Sequence, residues 1–275
     1  DELVRRMVGR SISTFFPAAL PGTEVGETRL QVTGGGNGYV TGVDLALRAG
    51  EIVGLAGLQG SGRTELAEAI FGAVPFTRGE LRLDGAVVRI DRPRTAVRSG
   101  IALITEDRKA QGLALGQSVL DNALLVIRGV LPRRTSAARA AVPSILESLE
   151  VSSQGTGQEV QFLSGGNQQK VVLAKWLATE PIVVLLDEPT RGIDVGAKVA
   201  VYDLMRELAA RGVAILMISS ELPEVIGMSD RILVMHDGRI AAELPAGSTE
   251  ETVLAAATGT STGTSSATLQ QEEAS

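Results

Sequence analysis

Cysteine is absent from this 275-residue chain, which excludes disulfides and thiol chemistry. Histidine is nearly absent. The single one, His236, lies beside an Asp237-Gly238 turn signal and reads as a turn or surface residue. Aromatics make up 3% of the chain against 44% hydrophobic residues, so the core has to be built from aliphatic side chains and alanine. No apolar run approaches a membrane span, and no signal peptide is visible. There is no excess of positive charge. The formal net charge is −6, which argues against nucleic acid as the main partner. The length suits one large or two small domains. The expected place is the cytoplasm, with any membrane contact made through a partner protein.

Three segments carry chemistry. The first is LSGGNQQK, Leu163 to Lys170. Ser164 is a good helix N-cap, and Val171, Leu173, Ala174 and Leu177 follow at helical apolar spacing. A helix opening after Gly165 and Gly166, with Asn167 and Gln168 in its first turn, leaves unpaired N–H groups and a positive dipole end where a phosphate can approach. The second is PIVVLLDEPT, Pro181 to Thr190. Ile182 to Leu186 reads as a strand buried on both faces. Asp187 and Glu188 stand at its C-terminal end, where open α/β sheets place their ligands. The first acid can hold Mg²⁺ through water, and its neighbour can orient or deprotonate an attacking water.

The third segment is GLQGSGRT, comprising Gly57, Leu58, Gln59, Gly60, Ser61, Gly62, Arg63 and Thr64, with Glu65 following. It lies between an apolar strand, Ile52 to Ala56, and a helical stretch to Phe71, as a phosphate-binding loop requires. The spacing fits G-x-x-x-x-G-K-[ST] except that Arg63 stands where lysine is expected.

In this order, with Gly192-Ile193-Asp194 after them, the segments resemble the nucleotide-binding domain of ABC transporters, from about Leu30 to Leu244. More narrowly, GLQGSGRTEL, ITEDRK, LSGGNQQK, DEPTRGIDVGAK and SSELPEV resemble the second cassette of the double-cassette ATPase subunit of bacterial monosaccharide importers. The opening DELVRRMVGR is similar to the tail of a first cassette, which implies that the chain is the C-terminal half of a longer protein.

The resemblance implies an α/β P-loop NTPase fold of ABC type. Its parts would be a mostly parallel core sheet flanked by helices, an antiparallel β layer and a helical insert. The expected domains are a lead-in and linker over 1–29, the cassette over 30–245 with its insert at about 110–165, and a C-terminal helix and disordered tail over 246–275. ATP and Mg²⁺ are the implied cofactors, with Thr64, Asp187 and Glu106 serving the metal. The implied partners are the first cassette of the same polypeptide, membrane permease subunits and, indirectly, a periplasmic or extracellular sugar-binding protein, with no nucleic acid. The implied location is the cytoplasmic face of the cell membrane. Ser164, Gly165, Gly166, Asn167 and Gln168 would act in trans on the partner cassette's nucleotide, and Asp194 would contact the partner. Tyr39 could stack on adenine or be a plain turn residue.

Three positions depart from the family pattern. Arg63 replaces the phosphate-contacting lysine with a longer planar fork. Ser220 occupies the place of the switch histidine and cannot carry positive charge near neutral pH. Glu106 aligns with the loop glutamine. With Glu188 as the water-activating carboxylate, these changes imply a degenerate site beside an intact signature. The alternative is a non-catalytic, nucleotide-gated module. A third reading, a soluble ABC-type protein acting on ribosomes or DNA, would need a basic surface or inserted arms, and neither is apparent in the sequence. The charge run Glu106 to Lys109 reads either as a solvated loop or as the contact with a membrane subunit.

Local patterns fill in the rest. Gly34 to Gly38 reads as a flexible turn and Asp84-Gly85 as a hairpin. Helices are expected over 117–128, 136–150 and 197–211. Core strands are expected over 101–105, 213–219 and 231–236.

Overall fold

The structure is a computed structural model that describes residues 16–260. The opening segment likened to a first-cassette tail falls outside the described residues, as does nearly all of the Ser/Thr/Gly-rich tail expected to be disordered. The chain begins with β1 (Thr28–Gly36), β2 (Val43–Arg48), β3 (Ile52–Gly57), α1 (Arg63–Phe71), β4 (Arg78–Leu83), β5 (Ala86–Val87), α2 (Pro93–Arg98) and β6 (Ile101–Ile104). A helical stretch follows, with α3 (Val119–Ala123), α4 (Leu125–Val130), α5 (Thr135–Ser148) and α6 (Gly165–Leu177). It closes with β7 (Val183–Asp187), α7 (Val195–Ala210), β8 (Ala214–Ile218), α8 (Leu222–Met228), β9 (Arg231–His236), β10 (Arg239–Pro245) and α9 (Glu250–Ala257).

Two sheets form. One is antiparallel, in the order β2-β1-β4-β5, and the other has six strands in the order β10-β9-β3-β8-β7-β6. The pairings among β9, β3, β8, β7 and β6 are all parallel, and β10 adds an antiparallel edge. The central strands β7 and β8 are buried at every position, as unbroken apolar runs such as Val183–Leu186 and Ala214–Ile218 require. Aliphatic residues make up almost all of the core, and the aromatic contribution is local. Phe71 and Trp176 meet edge-to-face at 5.7 Å, which holds α1 against α6.

Both Asp-Gly turns behave as expected. Asp84 and Gly85 have φ 45° and 77°, and Asp237 and Gly238 have φ 45° and 71°. Positive φ at both central residues matches the twist of the flanking strands. The glycine run Gly34 to Gly36 is a correction. It is no flexible turn but the end of β1, where the pairing with β2 shifts register between Val32 and Gly35. A Cβ on Gly35 would lie 2.5 Å from Val32 Cγ1 and 3.0 Å from Phe76, so glycine is what allows this bulge to close. The helix expected over 117–128 is two short helices, the first capped by Ser118, whose side chain accepts from Asp121 N–H. Pro143 lies within α5 without ending it.

Lys175 is buried, donating from Nζ to the Gly112 carbonyl at 2.6 Å and lying 5.3 Å from the Trp176 ring centre. Burial pushes its pKa down to about 8. An unfolded lysine keeps its proton to about pH 10.4. Between these values the unfolded chain binds more protons, so stability rises with pH, by an amount on the order of 3 kcal/mol if the whole shift is realised. Lys175→Met is expected to flatten the rise of Tm between pH 8 and 10. An unchanged slope in that variant would show that Lys175 is not its source.

Candidate functional site

Ile218 pairs with Leu55 on one side and with Asp187 on the other. This register brings the C-terminal ends of β3, β8 and β7 side by side. It therefore gathers the loop after β3, the Asp187-Glu188 pair and Ser219-Ser220 from distant parts of the chain. The loop, Asp187, Glu188 and Ser220, with Glu106 and Arg191, line a cavity of about 530 Å³.

The loop from Gly57 to Thr64 forms one wall. Gly57 has φ 153°, and a Cβ there would sit 2.5 Å from Ser61 Oγ and 2.6 Å from the Met235 carbonyl. Only glycine lets the loop fold back this closely. Gly238 N–H then ties the loop to the β9–β10 turn through the Ser61 carbonyl at 2.9 Å. α1 opens after Gly62 with no side-chain cap, which leaves its first amides available to an anion. Leu58, Gln59, Gly60 and Glu65 line the same wall.

Arg63 does not point freely at the cavity. Its Nη1 donates to the Ser219 carbonyl at 2.8 Å, so the long fork bridges to the loop after β8. Thr64 Oγ1 donates to Asp187 Oδ2 at 2.8 Å. Asp187 is 3% exposed, and its Oδ1 has no hydrogen-bond partner among the described residues. Burial pushes this carboxyl up to about 6; Glu188 adds to the shift and the Thr64 hydrogen bond opposes it. A buried carboxylate oxygen without a partner, beside a threonine hydroxyl and facing a cavity, fits a hard cation. No group of three or more acidic or histidine side chains among the described residues is arranged to hold a metal. A cation here would therefore take its remaining oxygens from water and a ligand.

Glu188 has φ 50°, a left-handed conformation that costs a non-glycine residue about 1–3 kcal/mol. Its N–H donates to the Ile218 carbonyl at 3.0 Å, and its Oε2 accepts from Ser220 Oγ at 3.1 Å. Glu106 reaches the cavity and is ion-paired with Arg191. Sequence reasoning passed over Arg191, although a cation directly after the DEPT turn was a readable signal. It also passed over Leu254 and Ala257 of α9, which line the cavity through a tertiary contact with no local signature. Tyr39 is 63% exposed and is not among the cavity-lining residues, although its backbone abuts Gly238.

The glycine-rich start of α6 does not line this cavity. Ser164 Oγ accepts from Asn167 N–H at 3.4 Å and from Asn167 Nδ2 at 3.0 Å, and Asn167 Oδ1 accepts from Ser152 N–H at 2.8 Å. Gly166 packs near Ala197, and Gly165 near the Arg108 guanidinium. Gln168 is less open than the exposed Ser164. It is 5% exposed, and its Nε2 donates to the Val160 and Leu163 carbonyls at 3.2 and 3.3 Å. Its Oε1 has no hydrogen-bond partner among the described residues. Asp194 caps α7 by accepting from Ala197 N–H at 3.0 Å. The charge run is not merely solvated. Asp107 accepts from Lys109 and Ala110 N–H, and Arg108 donates to the Arg191 and Gly192 carbonyls at 2.9 and 3.2 Å.

A family profile described as ABC transporter matches residues 40–191. The chain belongs to the ABC transporter family. Its fold is that of the family's ATP-binding cassettes. It is similar to a nucleotide-free ATP-binding cassette from an ABC transporter, with a TM-score of 0.71 and 22% identity over 83% of this chain and 95% of that one. It is likewise similar to a bacterial Atm1-family ABC exporter with ATP bound, with a TM-score of 0.67 and 22% identity over 89% of this chain and 43% of that one.

Among curated proteins, this ABC domain is 50% identical to the ribose import ATP-binding protein RbsA of Geobacillus kaustophilus, over 94% of this chain and 53% of the relative. It is 49% identical to a putative ribose/galactose/methyl galactoside import ATP-binding protein of Burkholderia lata, over 87% of this chain and 46% of the relative. The chain thus spans about half the length of these curated relatives. No described helix is long and apolar enough to cross a membrane.

Proposed function

We propose that this chain is the second, C-terminal ATP-binding cassette of a sugar importer, of the kind named for ribose among its relatives. In this reading it sits on the cytoplasmic face of the cell membrane. It pairs with a first cassette of the same polypeptide and docks on permease subunits, which receive sugar from a binding protein outside. The Glu106 to Lys109 loop, clasped to Arg191 and Gly192, is the proposed link to the permease. A net charge of −6 supports protein partners and not nucleic acid.

The phosphates of ATP would lie on the amides between Gly60 and Thr64, with Tyr39 against the base. Thr64 and Asp187 would hold Mg²⁺, joined by Glu106 once it leaves Arg191, and such an ion would offset phosphate charge. Glu188 would take the proton of the attacking water, and Ser220 fixes one oxygen of Glu188.

One observation carries the division of labour. Arg63 is turned onto the Ser219 carbonyl, whereas Ser164 remains an exposed helix cap outside its own chain's cavity. The site on this chain is therefore read as weak, and the signature as service to the partner's nucleotide. Asp194, at the start of α7 beside Gly166, would lie in the same interface.

Calorimetry with millimolar Mg²⁺-ATP or Mg²⁺-ADP tests the first step. Measurable heat is expected, and Thr64→Val should weaken binding in Mg²⁺ more than in EDTA. The absence of both heat and a thermal shift in the unsubstituted chain would sink the reading. The non-catalytic alternative draws support from the same Arg63 contact. Glu188→Gln separates the two, because it slows turnover if this site fires and alters only affinity or closure if it does not.

A further inference from the structure

Glu224 on α8 is 1% exposed, yet no cation is paired with it among the described residues. Hydroxyls surround it instead. Thr190 Oγ1 donates to Oε1 at 2.7 Å, Ser219 Oγ donates to Oε2, and the buried Tyr202 phenol is hydrogen-bonded to the same carboxylate. Desolvating a lone carboxylate is costly, so this one depends on its donors, and they depend on it.

Two of those donors belong to the loops that carry the reacting groups. Thr190 follows Glu188 by two residues, and Ser219 immediately precedes Ser220. Ser219 is held at two points. Its carbonyl accepts from Arg63, and its hydroxyl, besides donating to Glu224, accepts from Glu221 N–H at 3.0 Å. The direction in which Ser220 leaves this anchor sets its 3.1 Å contact with Glu188.

We infer that Glu224 is a positioning residue for ATP hydrolysis, bridging Thr190 and Ser219 so that Ser220 and Glu188 stay in register. The inference rests on the nucleotide reading above, and ATP binding by the unsubstituted chain checks that reading separately. Glu224 touches neither the cavity nor a ligand, so its effect has to pass through Glu188.

The test is single-turnover hydrolysis with this chain in excess over radiolabelled Mg²⁺-ATP. Glu224→Gln keeps the volume but deprives one hydroxyl of its acceptor. The expected result is a rate lower by roughly ten- to hundredfold, as small misplacements of reacting groups produce, with the Kd for ATP changed less than about twofold. In the Ser220→Ala background, Glu224→Gln should add little further loss, because both act on the position of Glu188. Losses that simply multiply, or an unchanged rate in Glu224→Gln, would overturn the inference.

If Glu224→Gln fails to fold, Ser219→Ala removes one arm of the bridge while leaving Thr190 and Tyr202 in place, and the same loss of rate is expected. If turnover is too slow to follow, hydrogen exchange decides. Backbone amides at 188–192 and 219–221 should exchange faster together in the variant, and protection equal to that of the unsubstituted chain would refute the bridge.

Discussion

Ser164→Arg in the two-cassette protein proposed above is expected to lower ATP turnover by about a hundredfold or more, while nucleotide affinity of the isolated chain stays within about twofold. The size of the first effect follows from what such groups do. A preorganised donor set aimed at developing charge contributes about 10²–10³ in rate, and an arginine at the helix start would fill the space that the set must occupy. The absence of the second effect follows from geometry, since Ser164 does not line its own chain's cavity. Losing the cap on α6 costs about 1 kcal/mol, so a modest drop in Tm is part of the expectation. Steady-state turnover of the two-cassette variant and calorimetry on the isolated chain give the two numbers. Weaker binding by the isolated variant would place Ser164 in the wrong site.

The isolated chain is expected to turn over ATP well below the ~1–10³ s⁻¹ common among enzymes, even if it dimerises. Each site of a homodimer would hold Arg63, Ser220 and Glu106 opposite an intact Ser164 helix. Glu188 remains, so the water activation proposed for it would survive. What is lost is placement. Arg63 is occupied by the Ser219 carbonyl, and Ser220 has no positive charge to offer the phosphoryl group in transfer. Positioned groups of this kind contribute about 10²-fold or more apiece. Under the proposed pairing, adding a first cassette with a complete site should restore activity, because Ser164 would then face that site. Arg63→Lys together with Ser220→His should raise the activity of the isolated chain. Several turnovers per second from a clean, unsubstituted sample would mean that arginine and serine work here as they stand.

The contiguous features were legible because their physics is local. Gly57 to Thr64 needs only its own glycines and the flanking strand and helix, and Val183 to Asp187 needs only its apolar run and terminal acid. Both Asp-Gly hairpins depend on backbone preferences that two residues express alone. Features set by distant partners were not legible. The grip of Arg63 on Ser219 depends on β3 lying next to β8. The burial of Gln168 depends on the path of residues 160–163 beneath α6. Arg191 became a wall residue through its pairing with Glu106, and the Gly34 to Gly36 bulge through the packing of Phe76. Charge, size and propensity were visible in each case, but the neighbour that gives them a role was not.

The strand order also has a consequence for biosynthesis. β3 is made early, yet both of its neighbours, β8 and β9, come from the last quarter of the described chain. At translation rates of about 5–20 residues per second, Ile52 to Gly57 waits on the order of ten to thirty seconds with two open edges. The small antiparallel sheet, all of whose strands precede β6, can form during that interval. The nascent chain would then pass through a stage with a finished outer layer and an unpaired apolar strand. That strand is the segment most exposed to chaperone capture or aggregation. A ribosome-bound chain stalled before β8 should bind a holdase chaperone through residues 52–57 and release it once β9 has emerged.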